Sequence, residues 1–331
     1  MKQTSKLKLA IVGCGAVAQA HLPVALASPY FEVTALVDKV LPRARQLADE
    51  FHIPVAVADY RDLIGTVEAA IITLPHHLHA PVSVDLLQAG MHLLVEKPMA
   101  MTAAECDEML AAAGGGATLA VGLVRRFYDA TRLVKDWVQA GLLGEVQGFD
   151  VREGAVYNWP AVSDFPFRKE TGGGVLADIG SHALDTLLWW LGDWDSFDYF
   201  DDALGGVEAD CELRLALKSG AVGIVELSRT RDLRNTIILR GTRGTLEVGT
   251  TFNAGIRLKL EGGVLALEGR ARGGAGEEDV WEVFRRQLDD FAGAILQGRP
   301  PRVTGEEARR AVALIEACHH HRQPLRYPWE D

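Results

Sequence analysis

Apolar residues in the first third of the chain come in short unbroken runs, separated by stretches in which they recur every three or four positions. The runs at 7–12, 33–37, 69–74, 92–95 and 118–122 read as buried strands. The stretches 16–28, 41–51, 82–89 and 102–112 read as helices between them. Strands alternating with helices imply right-handed crossovers and a parallel sheet covered on both faces.

The pattern changes after Arg125-Arg126-Phe127. A helix is predicted over 128–140, ended by Gly141. Strand-like segments follow at 146–152, 208–217, 221–230, 234–240, 244–248, 256–260 and 264–268. Several are joined by glycine turns, as at Ser219-Gly220 and Glu261-Gly262-Gly263, which is how an antiparallel sheet is punctuated. Helices return at 277–297 and 305–319. The expected fold class is α/β, with a Rossmann-type domain over 1–124 and an α+β domain over 125–331.

Composition narrows the function. At 331 residues the chain exceeds one ordinary core and suits two domains. A net charge of −11 argues against nucleic acid or an anionic membrane as the main partner, because phosphate backbones need a basic face. Cys14, Cys106, Cys211 and Cys318 are far apart and form no C-x-x-C pair. With a polar start and no apolar signal core, they point to the reducing cytoplasm. No apolar run approaches the roughly 20 residues needed to cross a bilayer.

Three segments carry candidate chemistry. Gly13-x-Gly15-x-x-Ala18 follows a strand and opens a helix, the setting of a dinucleotide fingerprint. Gly13 permits the turn, Gly15 admits a pyrophosphate, and the amides of Ala16 and Val17 at the helix start would hold it. Asp38 closes the second strand, where a carboxylate binds a ribose 2′-hydroxyl and favours NAD; adjacent Lys39 softens the exclusion of NADP. Glu96-Lys97-Pro98 ends a later strand, near the carboxyl edge where open sheets bind ligands. Gly172-Gly173-Gly174 opens a helix on which Asp178 and His182, four residues apart, share a face. Such a pair suits proton handling; the plainer alternative is an acidic helix start beside a surface histidine. The clusters His76-His77-Leu78-His79 and His319-His320-His321 lack accompanying carboxylates or cysteines at ligand spacing, so no metal is expected.

Together these segments, with Thr73-Leu74-Pro75-His76-His77-Leu78-His79 and Arg125-Arg126-Phe127, give the chain a resemblance to the Gfo/Idh/MocA family of NAD(P)-dependent sugar and polyol oxidoreductases. The resemblance covers nearly the whole length. It implies a Rossmann domain followed by a large, open, mostly antiparallel sheet, and a homodimer or homotetramer. It implies that Lys97 contacts substrate and the nicotinamide ribose, that Asp178 hydrogen-bonds substrate, and that His182 exchanges a proton with the reacting hydroxyl. It sets Thr73, Leu74, Pro75 and His79 beside the nicotinamide, with Glu96 in the cofactor site. His76 and His77 depart from the family's usual polar residues. Arg126, Tyr157 and Trp159 are candidate substrate contacts, although a surface loop fits the last two nearly as well.

The implied activity is hydride transfer between NAD(P) and a secondary hydroxyl or ketone of a sugar, inositol or sugar derivative. One alternative is a relative that cleaves glycosides by transient oxidation with tightly held NAD. Another is a sensor that binds dinucleotide and sugar without turnover, against which Lys97, Asp178 and His182 together speak.

Overall fold

The structure is a computed structural model that describes residues 6–158, 163–263, 266–272 and 278–326. The chain divides into two compact units, Met1–Val124 with Val280–Arg309, and Arg125–Asp279 with Arg310–Asp331.

The first unit begins with β1 (Leu7–Val12), α1 (Ala16–Ala27), β2 (Phe31–Val37), α2 (Leu41–Phe51) and β3 (Val55–Val57). It continues with β4 (Ala69–Ile72), α3 (His79–Gln88), β5 (His92–Val95), α4 (Ala103–Ala113) and β6 (Leu119–Val121). All six strands are parallel, in the order β3-β2-β1-β4-β5-β6. Their runs are uniformly apolar because both faces are covered: Leu9, Ile11, Ile71 and Leu93 are each 0% exposed. The short strand β3 is missing from the sequence prediction, since three residues are too few to show a period.

Register decides what this sheet can hold. Val57, Val37, Val12, Ile72, Val95 and Val121 pair in one row across it. The residues that follow Val37, Val12, Ile72 and Val95 are Asp38, Gly13, Thr73 and Glu96. Candidate groups scattered along the sequence therefore emerge side by side at the carboxyl edge. The strand order reverses between β1 and β4, which is where such sheets take ligands.

The second unit holds α5 (Asp129–Gln139), β7 (Val146–Gly154), a π-helical turn (Leu176–Gly180) and α6 (Ser181–Leu191). Then come β8 (Trp194–Asp201), β9 (Asp210–Leu217), β10 (Val222–Ser228), β11 (Thr236–Gly241), β12 (Gly244–Gly249), β13 (Gly255–Leu260) and β14 (Ala266–Arg270). The nine-stranded sheet runs β14-β13-β12-β11-β7-β10-β9-β8-β15, where β15 is Arg322–Pro324. It is mostly antiparallel; β10 with β7 and β15 with β8 are parallel. One buried row, Tyr199-Leu213-Val225-Val151-Ile237-Val248-Ile256, crosses seven strands. Leu184, Leu187 and Leu188 of α6 join that core. The opposite face carries Asp150 and Arg152 of β7, Glu226 of β10 and Glu247 of β12, next to the buried Val151, Val225 and Val248.

The expected boundary places everything after residue 124 in one domain, and α7 (Val280–Gln297) departs from that. It belongs to the first unit, where it packs on α1. Leu288, Phe291 and Ala292 enter the core formed by β1, β2 and α1. Phe291 stacks on Phe31 with ring centroids 5.7 Å apart. The apolar stripe of α7 marks it as a packed helix, but its sequence does not say which sheet receives it. The unit boundary then falls within α8 (Gly305–His320). Among the described residues no helix is long and apolar enough to cross a membrane.

Phe291 is 0% exposed, so Phe291→Ala should destabilise the first unit by about 3–5 kcal/mol. Denaturant unfolding followed by circular dichroism measures this; a loss under 1 kcal/mol would mean that α7 is peripheral to this core.

Candidate active site

The dinucleotide turn is built by one close approach. Gly13 has φ 99°, and a Cβ there would lie 2.5 Å from the Thr73 carbonyl oxygen. Thr73 returns the contact: its amide donates to Val12 O at 2.8 Å and its hydroxyl to Gly13 O at 2.7 Å. Gly15 is the opposite case, with nothing within 4 Å of its would-be Cβ. No side chain caps the helix start, and Ala16 and Val17 are exposed, so their amides face outward. Open space over Gly15 beside uncapped amides suits a pyrophosphate.

Asp38 is 7% exposed. Its Oδ2 accepts the Cys14 amide at 3.0 Å and Arg43 Nη1 at 3.1 Å, and its Oδ1 accepts the Val40 amide at 2.8 Å. Each oxygen keeps acceptor capacity for a ribose hydroxyl. Lys39 is exposed beside it. Arg43 was missed in the sequence; only its place in the first turn of α2 signals it. Burial and the Asp38 charge push the Cys14 thiol up to about 12, against Arg43, so Cys14 stays protonated within the turn.

In the stretch 93–100, Lys97 alone is half-exposed and every neighbour is buried. Two residues expected to touch cofactor are turned inward around it. Glu96 is 8% exposed, with Oε1 2.7 Å from His21 Nε2 and Oε2 accepting the Lys97 amide at 3.2 Å. Burial raises the Glu96 pKa, but the bond and charge of His21, followed by Lys97, outweigh it and hold the carboxyl below its usual range. His79 is 0% exposed; Nδ1 lies 2.8 Å from Pro98 O and Nε2 2.8 Å from Leu74 O. Burial lowers its pKa more than these carbonyls raise it. His79 is thus lodged between the Leu74 and Pro98 carbonyls, and its neutral ring donates to one of them. Thr73, Leu74 and Pro75 remain half-buried.

In the second unit the expected glycine-led helix starts as a π-helical turn before α6 takes over. Gly174 has φ 111°, and the Glu208 carboxylate occupies the space a Cβ would need. Glu208, 2% exposed, accepts the Leu176 amide on Oε1 at 3.0 Å, and its backbone oxygen accepts the Val175 amide at 3.0 Å. It caps from a distance a turn that has no side-chain cap of its own. Across residues 173–188 every position is buried except Asp178 and His182. The π-helical turn stands where such irregularities concentrate, at functional sites.

Asp178 Oδ2 also accepts Arg229 Nη2, an arginine the sequence reading missed because no motif surrounds it. The Arg229 guanidinium lies 6.0 Å from the Tyr157 ring, and Tyr157 meets Phe167 edge to face at 5.3 Å. Tyr157 is half-buried and Phe167 is 52% exposed. Trp159 lies outside the described residues. Arg126, expected at substrate, is 1% exposed: its Nε and Nη2 bond Asp185 at 2.9 and 2.6 Å, and the guanidinium lies over Trp189. It is an interior brace of α6. Its neighbour Arg125 is likewise committed, to Glu153 at 2.7 and 2.5 Å.

Comparison with known proteins accounts for both halves. The oxidoreductase family with an NAD-binding Rossmann fold, Gfo/Idh/MocA, matches residues 7–122, and that family's C-terminal domain matches residues 131–247. The chain belongs to the Gfo/Idh/MocA family. It is similar to trans-1,2-dihydrobenzene-1,2-diol dehydrogenase of Mus musculus, 30% identical over 73% of this chain and 74% of that protein. It is also similar to D-xylose 1-dehydrogenase (NADP(+)) 2 of Haloferax volcanii, 28% identical over 90% and 91%. Among solved structures, aldose-aldose oxidoreductase from Caulobacter crescentus, complexed with glycerol, superposes with a TM-score of 0.85 at 25% identity, covering 96% and 97%.

Within this Gfo/Idh/MocA chain the two fingerprint glycines do different work, and substitution separates them. Gly13→Ala should lower the melting temperature, because both its φ and the Thr73 carbonyl oppose a Cβ. Gly15→Ala should leave unfolding within about 0.5 kcal/mol of the parent. It should weaken NAD binding by about tenfold or more, as the methyl enters the space a pyrophosphate needs. Thermal melts with fluorescence titration of NAD check both; equal effects of the two changes would contradict the assignment.

Proposed function

We propose that the protein transfers a hydride between a nicotinamide dinucleotide and a secondary hydroxyl, or the matching ketone, of a sugar, inositol or sugar derivative. The observation that carries this reading is the emergence of Asp178 and His182 alone from an otherwise buried stretch, in a chain whose first unit has the family's NAD-binding fold. A bound nicotinamide supplies the hydride acceptor or donor. His182 takes the hydroxyl proton during oxidation and returns it during reduction, since imidazole exchanges protons near neutrality. Asp178, one oxygen held by Arg229, accepts a hydrogen bond from a substrate hydroxyl. The Lys97 ammonium stabilises alkoxide charge. The edge-to-face pair Tyr157 and Phe167 offers apolar surface to a sugar ring.

A panel of sugars and polyols with NAD or NADP, read by nicotinamide absorbance, tests the reaction. Steady NADH formation with substrate loss supports it; substrate cleavage without NADH, or binding without turnover, overturns it. Lys97→Ala should abolish turnover while NAD still binds. His182→Ala should lower turnover by roughly 10²–10⁴-fold. Near-normal rates in both variants would remove these residues from the mechanism.

The Asp38 carboxylate favours NAD over NADP by repelling a 2′-phosphate. Arg43, bonded to Asp38 with its side chain 36% exposed, is a cation available to that phosphate beside the exposed Lys39. NAD should therefore bind tighter, and Arg43→Ala should widen the preference by weakening NADP at least about tenfold while changing NAD little. Parallel titrations decide it; unchanged NADP affinity in Arg43→Ala excludes Arg43. We further propose a cytoplasmic homodimer or homotetramer associating through the second unit's sheet, supported by family membership and testable by sedimentation.

A further inference from the structure

We propose that His21 and Glu96 act as a positioning pair, fixing the backbone of Lys97 from the helix that carries the dinucleotide turn. The inference rests on Lys97 acting in the reaction proposed above.

Four contacts define the geometry. His21 lies in α1, on the same helix whose exposed first amides belong to Ala16 and Val17. It is 2% exposed and its Nε2 is 2.7 Å from Glu96 Oε1. The second carboxylate oxygen accepts the amide of Lys97 at 3.2 Å, so one side chain spans α1 and the lysine's own backbone. The Glu96 amide is anchored in turn to Ile72 O at 2.9 Å. Gly122, following β6, closes the far side: a Cβ there would fall 2.9 Å from Glu96 Oε1. The ring of His21 meets Phe284 edge to face at 4.8 Å, so it is packed as well as bonded.

A buried ionisable pair is a poor way to gain stability, because well-packed apolar side chains do as well or better. It does fix geometry, and the geometry fixed is that of the one half-exposed residue in the stretch. A dinucleotide settling on the first turn of α1 thereby acts on a helix bonded to the Lys97 segment, so the lysine is held in place as the cofactor binds.

Two variants test the pair in the full chain. His21→Leu keeps the volume and removes the bond; His21→Gln keeps a donor toward Glu96. Hydrogen exchange of the 93–101 segment, with and without NAD, should show that NAD slows exchange in the parent and in His21→Gln but not in His21→Leu. Fluorescence titration should show that NAD still binds all three. On the sugar found by the panel, His21→Leu should lower kcat by about 10²-fold with little change in the KM for NAD, the scale of a small misplacement. His21→Gln should recover most of that loss. Glu96→Gln, which retains size and one acceptor, should lie between and serves if His21→Leu does not fold. Loss of melting temperature with kcat and the exchange response intact would reduce the pair to a stability role and overturn the inference. Lys97→Ala, measured alongside, separates the two ideas: an inactive Lys97→Ala with a fully active His21→Leu sinks only the positioning pair, whereas an active Lys97→Ala sinks the role of Lys97 itself.

Discussion

The approach of Gly13 to the carbonyl of Thr73 sets where the first unit can receive a ligand. β1 and β4 are neighbours at the point where strand order reverses, and the chain leaves β1 toward α1 there. A side chain at residue 13 would push the β1 turn away from Thr73 and break the hydroxyl bond to Gly13 O. With the contact made, Gly15 faces open space and the start of α1 has no side-chain cap. The Cys14 amide is then in reach of Asp38, which ties the same turn to the end of β2. One steric requirement thus fixes the first amides of α1 and the Asp38 carboxylate together.

The second unit solves a different problem, which is to expose two polar groups from a helix that is otherwise core. Leu176, Ala183, Leu184, Leu187 and Leu188 are packed in the interior, so the helix cannot rotate without burying Asp178 and His182. Its polar requirements are met from inside. Glu208 takes the first amides, and the Arg126–Asp185 pair lies within the core, partly stacked against Trp189. Such buried charges are weak contributors to net stability, yet removing one partner leaves the other stranded at a cost of about 3–5 kcal/mol. They make the orientation of α6 all-or-none rather than adjustable.

Local rules carried much of this into the sequence. The fingerprint needs only a strand, a turn and a helix within some dozen residues, and unbroken apolar runs between helices announce a parallel sheet covered on both faces. What failed was the direction of polar side chains whose partners lie far along the chain. Glu96 and His79 sit in segments whose resemblance implies cofactor contact. Each instead bonds a partner 75 or 19 residues away. Arg126 does the same across 59 residues. Arg229 had no motif to announce it, although it holds Asp178. For α7 the amphipathic stripe was legible and its destination was not, because nothing local says which of two sheets Phe291 will meet.

These inward turns share a consequence. At Lys97, and again at Asp178 and His182, the half-exposed polar group is set in an otherwise buried stretch braced by bonds from Glu96 and Glu208. A polar side chain surrounded by mobile polar neighbours would trade partners with them and with water, losing orientation. Here Glu96 is held by His21 and the Lys97 amide, His79 lies between two carbonyls, and Glu208 accepts the Leu176 amide with His319 and Arg322 beside it. The bracing residues therefore set the orientation of the half-exposed ones. They hold the backbone from which Lys97, Asp178 and His182 project.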